Sequence, residues 1–307
     1  MNEITSTAPL LKRIPLSSST IIFYLLPVCI WGSTWLGIKF QLGTVQPLVS
    51  VIYRFAIAGV FLFIWCGLAR APLRISRRNH GMIALQGCTL FGINYWLVYW
   101  SEVYLTSGIV AVIFSSLVFL NIFNARLFLH RKVSGYGLLG ASIGFVGVAL
   151  LFFPEMRALS LNDHALRGFA FGFGATLVAS LGSIAATRNS HSGLPVITIN
   201  AWGMFYGTLM LIIVALVSGA HFTYEYTAGY TLSLIYLALF GSVIAFGAYL
   251  RLLAIIGPEK AGYLSLSIPI VALAISTVYE HYIWSIPAIV GLAFILSGNI
   301  LAMRRSA

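Results

Sequence analysis

Acidic side chains are the scarcest feature of this sequence. Its 307 residues hold seven Asp and Glu against 18 Lys and Arg, and charged residues of all kinds make up 8%. A soluble domain of this length carries about a quarter of its residues charged to cover its surface, so a soluble globular class is excluded. No acid lies in the middle third of any apolar run, which leaves no buried carboxylate pair for acid–base chemistry. Cysteine is equally sparse. Cys29, Cys66 and Cys88 stand alone, with no CxxC, so neither a disulfide framework nor a thiolate metal site is indicated. Also missing are the GxxxxGK[ST] phosphate loop, the HExxH zinc helix, the GxSxG nucleophile elbow and paired aspartates within apolar runs. These absences exclude direct use of ATP, argue against an enzyme, and imply no cofactor and no metal.

What the chain does have is apolar length. It is 60% hydrophobic, with a mean hydropathy of +0.96. A helix needs about 20 apolar residues to cross about 30 Å of hydrocarbon, and ten such runs occur: 20–38, 46–68, 81–100, 106–129, 134–153, 167–187, 195–217, 230–254, 259–278 and 285–303. The expected fold class is therefore an all-α polytopic membrane protein with ten transmembrane helices. The connections are short, so no soluble domain is inserted. Residues 1–19 lack the apolar centre of a cleaved signal peptide, and the first span is expected to act as the insertion signal.

The net charge of +11 would suggest nucleic acid in a soluble protein. Here the positive-inside rule accounts for it, and no nucleic-acid partner is expected. Lys12 and Arg13 precede span 1. Arg70, Arg74, Arg77 and Arg78 lie between spans 2 and 3, and Arg126, Arg131 and Lys132 cluster at the end of span 4. Arg188, Arg251, Lys260, Arg304 and Arg305 complete the set. With both termini cytoplasmic, all of these fall on one side. The other side holds Lys39, Arg157 and Arg167, and five of the seven acids: Glu102, Glu155, Asp163, Glu225 and Glu280.

Weak internal similarity divides the ten runs into two sets of five. Pro47 and Gly59 stand 148 residues before Pro195 and Gly207. Gly32–Ser33 precedes Gly182–Ser183 by 150, and Gly140 precedes Gly291 by 151. The polar break "YLTSG" (104–108) lies over "IGPEK" (256–260) at 152. Four landmarks near one offset indicate a repeat. An odd number of spans per repeat makes the second copy inverted, which is the recurrent architecture of alternating-access carriers. The expected organisation is a cytoplasmic segment 1–19, a first repeat 20–153, a linker 154–166 outside the cytoplasm, a second repeat 167–303 and a cytoplasmic tail 304–307.

Polar and aromatic residues inside the spans are the candidate site. In "WGSTWLGIKF" (31–40), Trp31, Thr34, Trp35 and Ile38 share one helix face. An interfacial aromatic belt explains Trp35 as well as a cavity wall does. Trp31 lies deeper, where an indole N–H needs a partner, so this face should point into the bundle. Span 3 places Asn94, Tyr95, Tyr99 and Glu102 together, and span 4 offers Ser115, Ser116, Asn121 and Asn124. Span 6 offers Thr176, Ser180, Ser183 and Thr187, span 8 Ser242, Phe246 and Tyr249, and span 9 Ser265 and Ser267. Serines in spans usually serve close packing. Asparagines and mid-span tyrosines carry more weight, because an unpaired amide or phenol is unfavourable in lipid. Such a cavity, aromatic and weakly polar, suits a small amphipathic solute better than a bare ion or a polyphosphate. The substrate-binding candidates are Trp31, Thr34, Trp35, Asn94, Tyr95, Tyr99, Ser116, Asn121, Ser180, Ser183, Ser242, Tyr249 and Ser267.

Three further residues are candidates for gating or charge. Arg54 sits about 12 Å along span 2 at 1.5 Å per residue. Snorkelling, pairing with carbonyls at a broken helix, and a role near a substrate carboxylate or in gating all remain open. Glu102 is its candidate counterion, or a solvated acid at the span's mouth. Pro269 interrupts span 9, either as a plain kink or as a gate. Gly140–Gly144, Gly168–Gly172 and Gly203–Gly207 are expected close helix contacts.

At these residues the chain resembles the drug/metabolite transporter superfamily, specifically its EamA-type permeases, over nearly its full length. "WGSTWLGIKF" followed by "RFAIAG" (54–59) is similar to that family's first two helices. "WSEVYLTSGIVAVIFSS" (100–116) is similar to its link from helix 3 to helix 4, and residues 236–281 to its helices 8 and 9, with Pro269 and Glu280 in place. The first half departs from the pattern. Leu117 or Val118 stands where the family's proline would be, and the acid ending that helix falls near Arg131, which predicts loss of that kink. The resemblance implies ten helices in inverted repeats, and a central cavity lined mainly by helices 1, 3, 4, 6, 8 and 9. It further implies export of small metabolites across a bacterial inner membrane, with the aromatic amino-acid exporters of the superfamily as near relatives.

The expected function is thus a secondary transporter exporting small amphipathic metabolites, with neutral or aromatic amino acids favoured by the cavity. A multidrug carrier for organic cations would call for a buried acid beside aromatics, and a non-transporting scaffold leaves the inverted repeat unexplained. The expected partners are a small solute and the lipid bilayer. Oligomeric state is open, and a monomer would suffice.

Overall fold

In the computed structural model, residues 18–158, 163–279 and 284–303 are described. They are all-helical, with no strand among the described residues. Lys12, Arg13, Glu280, Arg304 and Arg305 lie outside them, as does the side chain of Glu155.

Seven helices are long and apolar enough to cross a membrane: α1 (Ser18–Lys39), α2 (Pro47–Leu68), α3 (Arg77–Tyr104), α4 (Ser107–Leu129), α6 (Asp163–Ser190), α7 (Val196–Val217) and α8 (Ala228–Ala261). Three shorter apolar helices accompany them: α5 (Gly135–Leu151), α9 (Leu264–Tyr279) and α10 (Ile286–Met303). Each falls on one of the ten expected runs. Exposed Leu, Ile, Val and Phe side chains cover the outside of the bundle, the reverse of a soluble surface and the pattern lipid requires. Cys29, Cys66 and Cys88 are free thiols.

Small residues set the helix spacing. A Cβ added at Gly147 would lie 2.6 Å from the Gly291 carbonyl oxygen, and one at Gly291 would lie 2.5 Å from that of Gly147. Gly140 and Gly298 meet in the same reciprocal way, so α5 and α10 touch backbone to backbone. Gly203 and Gly207 bring α7 against Gly87 of α3, and Gly168 and Gly172 bring α6 against Tyr104, Leu105 and Ser101. All three expected glycine pairs are close helix contacts.

Two helices are locally underwound. Residues Gly87–Ile93 of α3 and Leu237–Ile244 of α8 are π-helical. Side chains feed these turns: Ser242 Oγ donates to the Leu237 carbonyl at 3.0 Å, and Thr89 Oγ1 to that of Leu85 at 2.7 Å. Two polar bonds are related by one shift of 148 residues. Gln41 Nε2 donates to the Tyr230 carbonyl (2.9 Å), and Asn189 Nδ2 to the Met82 carbonyl (3.1 Å).

The breaks fall near the polar stretches. Thr106 caps α4 in extended backbone, and Gly257, at φ 81° and ψ 166°, bends the chain before Pro258. Only glycine adopts that conformation without strain. No proline stands at this point of the first half, and α4 carries a single turn at Ser116, whose backbone stays right-handed helical at φ −66° and ψ −10° and whose hydroxyl and N–H both bond the Ile113 carbonyl, at 2.7 Å and 3.0 Å. α9 runs through Pro269. The proline leaves the Ser265 carbonyl without its helical donor, and Ser115 Oγ reaches that oxygen at 3.3 Å.

Candidate functional site

One cavity of about 80 Å³ lies within the bundle. Six helices line it. α1 contributes Trp31, Thr34, Trp35 and Ile38, and α3 Leu90, Asn94, Tyr95 and Val98. Phe114 and Leu117 come from α4, and Ala179 and Ser183 from α6. Phe246, Tyr249 and Ala261 come from α8, and Leu264, Ser265 and Ile268 from α9. α2, α5, α7 and α10 take no part in the lining. These are the six helices that the family resemblance implied.

The stripe beginning at Trp31 is a cavity wall along its length. The Trp31 indole donates to the Gly241 carbonyl at 3.0 Å, an oxygen presented by the π-helical turn of α8. Its ring packs on Phe246 (centroids 4.9 Å apart) and Tyr249 (5.3 Å). Trp35 faces Phe114 at 6.4 Å. Its buried N–H has no hydrogen-bond partner among the described residues, and neither has the buried Oδ1 of Asn94. Asn94 Nδ2 is satisfied by the Leu90 carbonyl at 3.2 Å. Thr34 bonds back to Trp31 (2.8 Å), and Ser183 meets the Tyr249 hydroxyl at 2.9 Å. The wall is thus aromatic, and among the described residues one buried donor and one buried acceptor in it are left without a hydrogen-bond partner.

Seven of the proposed binding residues meet here: Trp31, Thr34, Trp35, Asn94, Tyr95, Ser183 and Tyr249. The other six do not line the cavity, each for a stated reason. Ser116 sustains the turn in α4. Asn121 donates to the Pro258 carbonyl at 3.2 Å, tying α4 to the bend within α8. Ser180 accepts from Asn124 Nδ2 at 2.9 Å. Ser267 joins Tyr24 (2.7 Å) and Asn299 (3.0 Å) between α1, α9 and α10. Ser242 and Tyr99 belong to the surroundings of Arg54. Leu90, Phe114 and Leu264 are cavity residues that polarity could not reveal, because apolar side chains are unremarkable in an apolar span. Phe246 was visible only by its alignment with Ser242 and Tyr249.

Arg54 is wholly buried, so it does not snorkel. Its Nε donates to Ser242 Oγ at 3.0 Å, a charge-assisted bond. Its Cζ stands 4.4 Å above the centre of the Tyr95 ring and 5.3 Å from that of Phe55, within cation–π range. Neither Nη makes a well-formed hydrogen bond among the described residues, although the Tyr95 and Tyr99 hydroxyls stand beside the guanidinium. Glu102 is buried too. Its Oε2 accepts from Ser107 at 3.2 Å, while Oε1 has no partner. The expected Arg54–Glu102 pairing is therefore not made as a direct hydrogen bond. Pro269 lies one residue beyond the cavity-lining Ile268.

The profile of the EamA-like transporter family matches two stretches, residues 18–153 and 166–304. The chain belongs to the EamA-like transporter family. It is a membrane protein similar to other EamA-like chains along most of their length. It is 25% identical over 274 residues to an uncharacterized transporter, YoaV, of Bacillus subtilis, covering 88% of this chain and 91% of that one. It is 27% identical over 272 residues to the uncharacterized inner membrane transporter YedA of Escherichia coli strain K12, covering 87% and 83%. It is 24% identical over 277 residues to protein PecM of Dickeya dadantii, covering 89% and 88%. A solved crystal structure shares the fold with a TM-score of 0.76 at 16% identity, over 93% of this chain and 96% of that one.

Proposed function

We propose that this EamA-like protein is a secondary carrier that works by alternating access and exports small amphipathic metabolites, neutral and aromatic amino acids among them, across a bacterial inner membrane. The observation that carries the reading is the cavity: an aromatic pocket inside the bundle, lined from six helices drawn from both halves of the chain. Its free indole N–H and amide oxygen match the acceptor and donor groups of a small amphipathic solute.

Ten spans in two inverted five-helix repeats, 20–153 and 167–303, are supported by features that recur at a fixed shift. The two matched stretches begin 148 residues apart. The two π-helical turns begin 150 apart. The Gln41–Tyr230 and Asn189–Met82 bonds map onto each other. Gly140–Gly298 and Gly147–Gly291 exchange places under a shift of 151, as contacts about a pseudo-twofold axis must. The linker 154–166 then lies outside the cytoplasm, and the termini, 1–19 and 304–307, lie inside it. Arg54, a cation, stands 4.4 Å over the cavity-lining Tyr95 ring, which disfavours organic cations as the main cargo.

At about 80 Å³ the cavity is smaller than ligand sites of roughly 300–1,000 Å³. Its walls must part to admit an amino acid, as a carrier's do. The test is counterflow in proteoliposomes with neutral and aromatic amino acids, sugars, nucleosides and organic cations, with and without a pH gradient. Accumulation of an amino acid without the gradient is the expected result. Movement of cations alone would replace the amino-acid reading, and no movement of any compound by folded protein would overturn the carrier reading.

A further inference from the structure

We infer that Arg54 is the seat of a carboxylate: the solute carries that group, and it reaches the Arg54 guanidinium when the Tyr95 ring swings aside. This rests on the carrier reading and narrows it to carboxylate-bearing solutes. A buried guanidinium is strongly unfavourable unless every donor is met. Here the protein meets one. Nε is held by Ser242, while Nη1 and Nη2 are buried with no well-formed hydrogen bond among the described residues, the Tyr95 and Tyr99 hydroxyls standing beside the guanidinium as loose neighbours. The planar edge of two Nη groups is the geometry that grips a carboxylate with two parallel bonds.

The orphaned edge lies one side chain away from the cavity. Tyr95 is a cavity wall on one face, and Arg54 lies 4.4 Å over the centre of the same ring. Nη2 also lies near Gly241 and Thr34. A Cβ at Gly241 would stand 3.0 Å from Nη2 and 3.0 Å from Thr34 Cγ2. Thr34 is itself a cavity residue, and the Gly241 carbonyl anchors Trp31. Glycine at 241 therefore lets the guanidinium and Thr34 pack directly against the backbone of α8. The buried Tyr99 hydroxyl stands beside Arg54 without a well-formed hydrogen bond among the described residues, and is a second donor for the same anion. The nearest internal candidate, Glu102, spends Oε2 on Ser107 and does not satisfy either Nη. The solute's amine and side chain would then remain among Trp35, Asn94 and the aromatic rings.

The test uses the full-length protein in detergent, read by ligand-induced thermal stabilisation, with counterflow run in parallel. The probes are phenylalanine, leucine and threonine, each beside its carboxamide and its decarboxylated amine, with inorganic phosphate as a separate arm. In the wild type the acids are expected to bind roughly ten- to hundredfold more tightly than the matched amides and amines, the usual discrimination of a charge-assisted hydrogen-bonded pair. In R54Q acid and amide should converge, and R54K should retain part of the preference. The wild-type ratio of acid to amide decides the matter even where R54Q fails to fold. Amides binding as well as acids would overturn the seat while leaving the carrier reading intact. No stabilisation by any acid, or stabilisation by phosphate in its place, would also overturn it. Arg54-dependent binding of acids without counterflow would support the seat and sink the carrier reading.

Discussion

Two tryptophans one helical turn apart should respond in opposite ways to the same substitution. Trp31 and Trp35 both line the cavity. The Trp31 N–H is bonded to the Gly241 carbonyl at 3.0 Å, whereas the Trp35 N–H has no partner. Trp31→Phe leaves that carbonyl unsatisfied in a low-dielectric interior, which costs about 1–3 kcal/mol. It also thins the contacts with Phe246 and Tyr249 by about 1 kcal/mol. Bonds between membrane helices average nearer ~0.6 kcal/mol, so the predicted loss is about 1.5–4 kcal/mol. Trp35→Phe removes a donor that the protein does not use. The loss of ring area against Phe114 is offset by relief of a buried orphan, and stability should change by no more than about 1 kcal/mol. Transport should show the converse for Trp35. If its N–H meets the solute, Trp35→Phe weakens apparent affinity about 3- to 10-fold, the worth of one neutral hydrogen bond. Thermal unfolding in micelles and counterflow in liposomes measure the two quantities on the same preparations. Equal destabilisation by the two variants, or full affinity in Trp35→Phe, would refute the assignment of one indole to the fold and the other to the solute.

Gly147→Ala and Gly291→Ala each place a methyl within 2.6 Å of the opposite carbonyl. Each should cost about 1–3 kcal/mol, and the double variant should cost less than their sum, because one separation of α5 and α10 relieves both clashes. Strict additivity in thermal unfolding would refute the reciprocal contact. Tyr95→Ala and Tyr99→Ala should impair counterflow with folded yield retained. Normal uptake by both would move the site elsewhere.

Much of the fold was legible because lipid imposes a length on every span and requires a partner for every polar group. Trp31 could be placed facing inward on that ground alone, and the glycine pairs and the Gly257 bend fell where expected. The same rule explains where sequence reading stopped. It announces that Asn121, Ser180, Ser242 and Ser267 need partners without saying whether those are solute or helix. In the fold Asn121 finds a carbonyl, Ser180 finds Asn124, Ser242 finds Arg54 and Ser267 finds Tyr24. The π-helical turns and the turn at Ser116 depend on local hydroxyl bonding that no spacing records. Phe114 and Leu264 carry no signal, since an apolar wall is spelled like any lipid-facing surface.

The proposed symmetry also exposes an asymmetry that has a consequence for gating. Asn121 Nδ2 bonds the Pro258 carbonyl, and Asn124 Nδ2 bonds Ser180. Under the proposed topology both bonds lie toward the cytoplasmic end. Displaced by the 152 residues that relate the two polar breaks, Asn121 and Pro258 become Leu273 and Thr106. Leu273 is buried in the core, and it cannot donate the side-chain hydrogen bond that Asn121 makes. On that topology the inner end carries a polar tie, and at its outer counterpart Leu273 has no side-chain donor. Asn121→Ala should then shift the equilibrium toward the inward-open state by about threefold, the equivalent of one ~0.6 kcal/mol interhelical bond. The readout is labelling of a Leu264→Cys cavity reporter, in a background lacking Cys29, Cys66 and Cys88, by an impermeant thiol reagent applied to inside-out and right-side-out vesicles. Faster labelling only from the cytoplasmic face would support a closing role for the tie. Unchanged labelling there, or a gain from the outer face, would mean that the Asn121 bond merely braces the turn at Pro258 and that the closed end is held by packing alone.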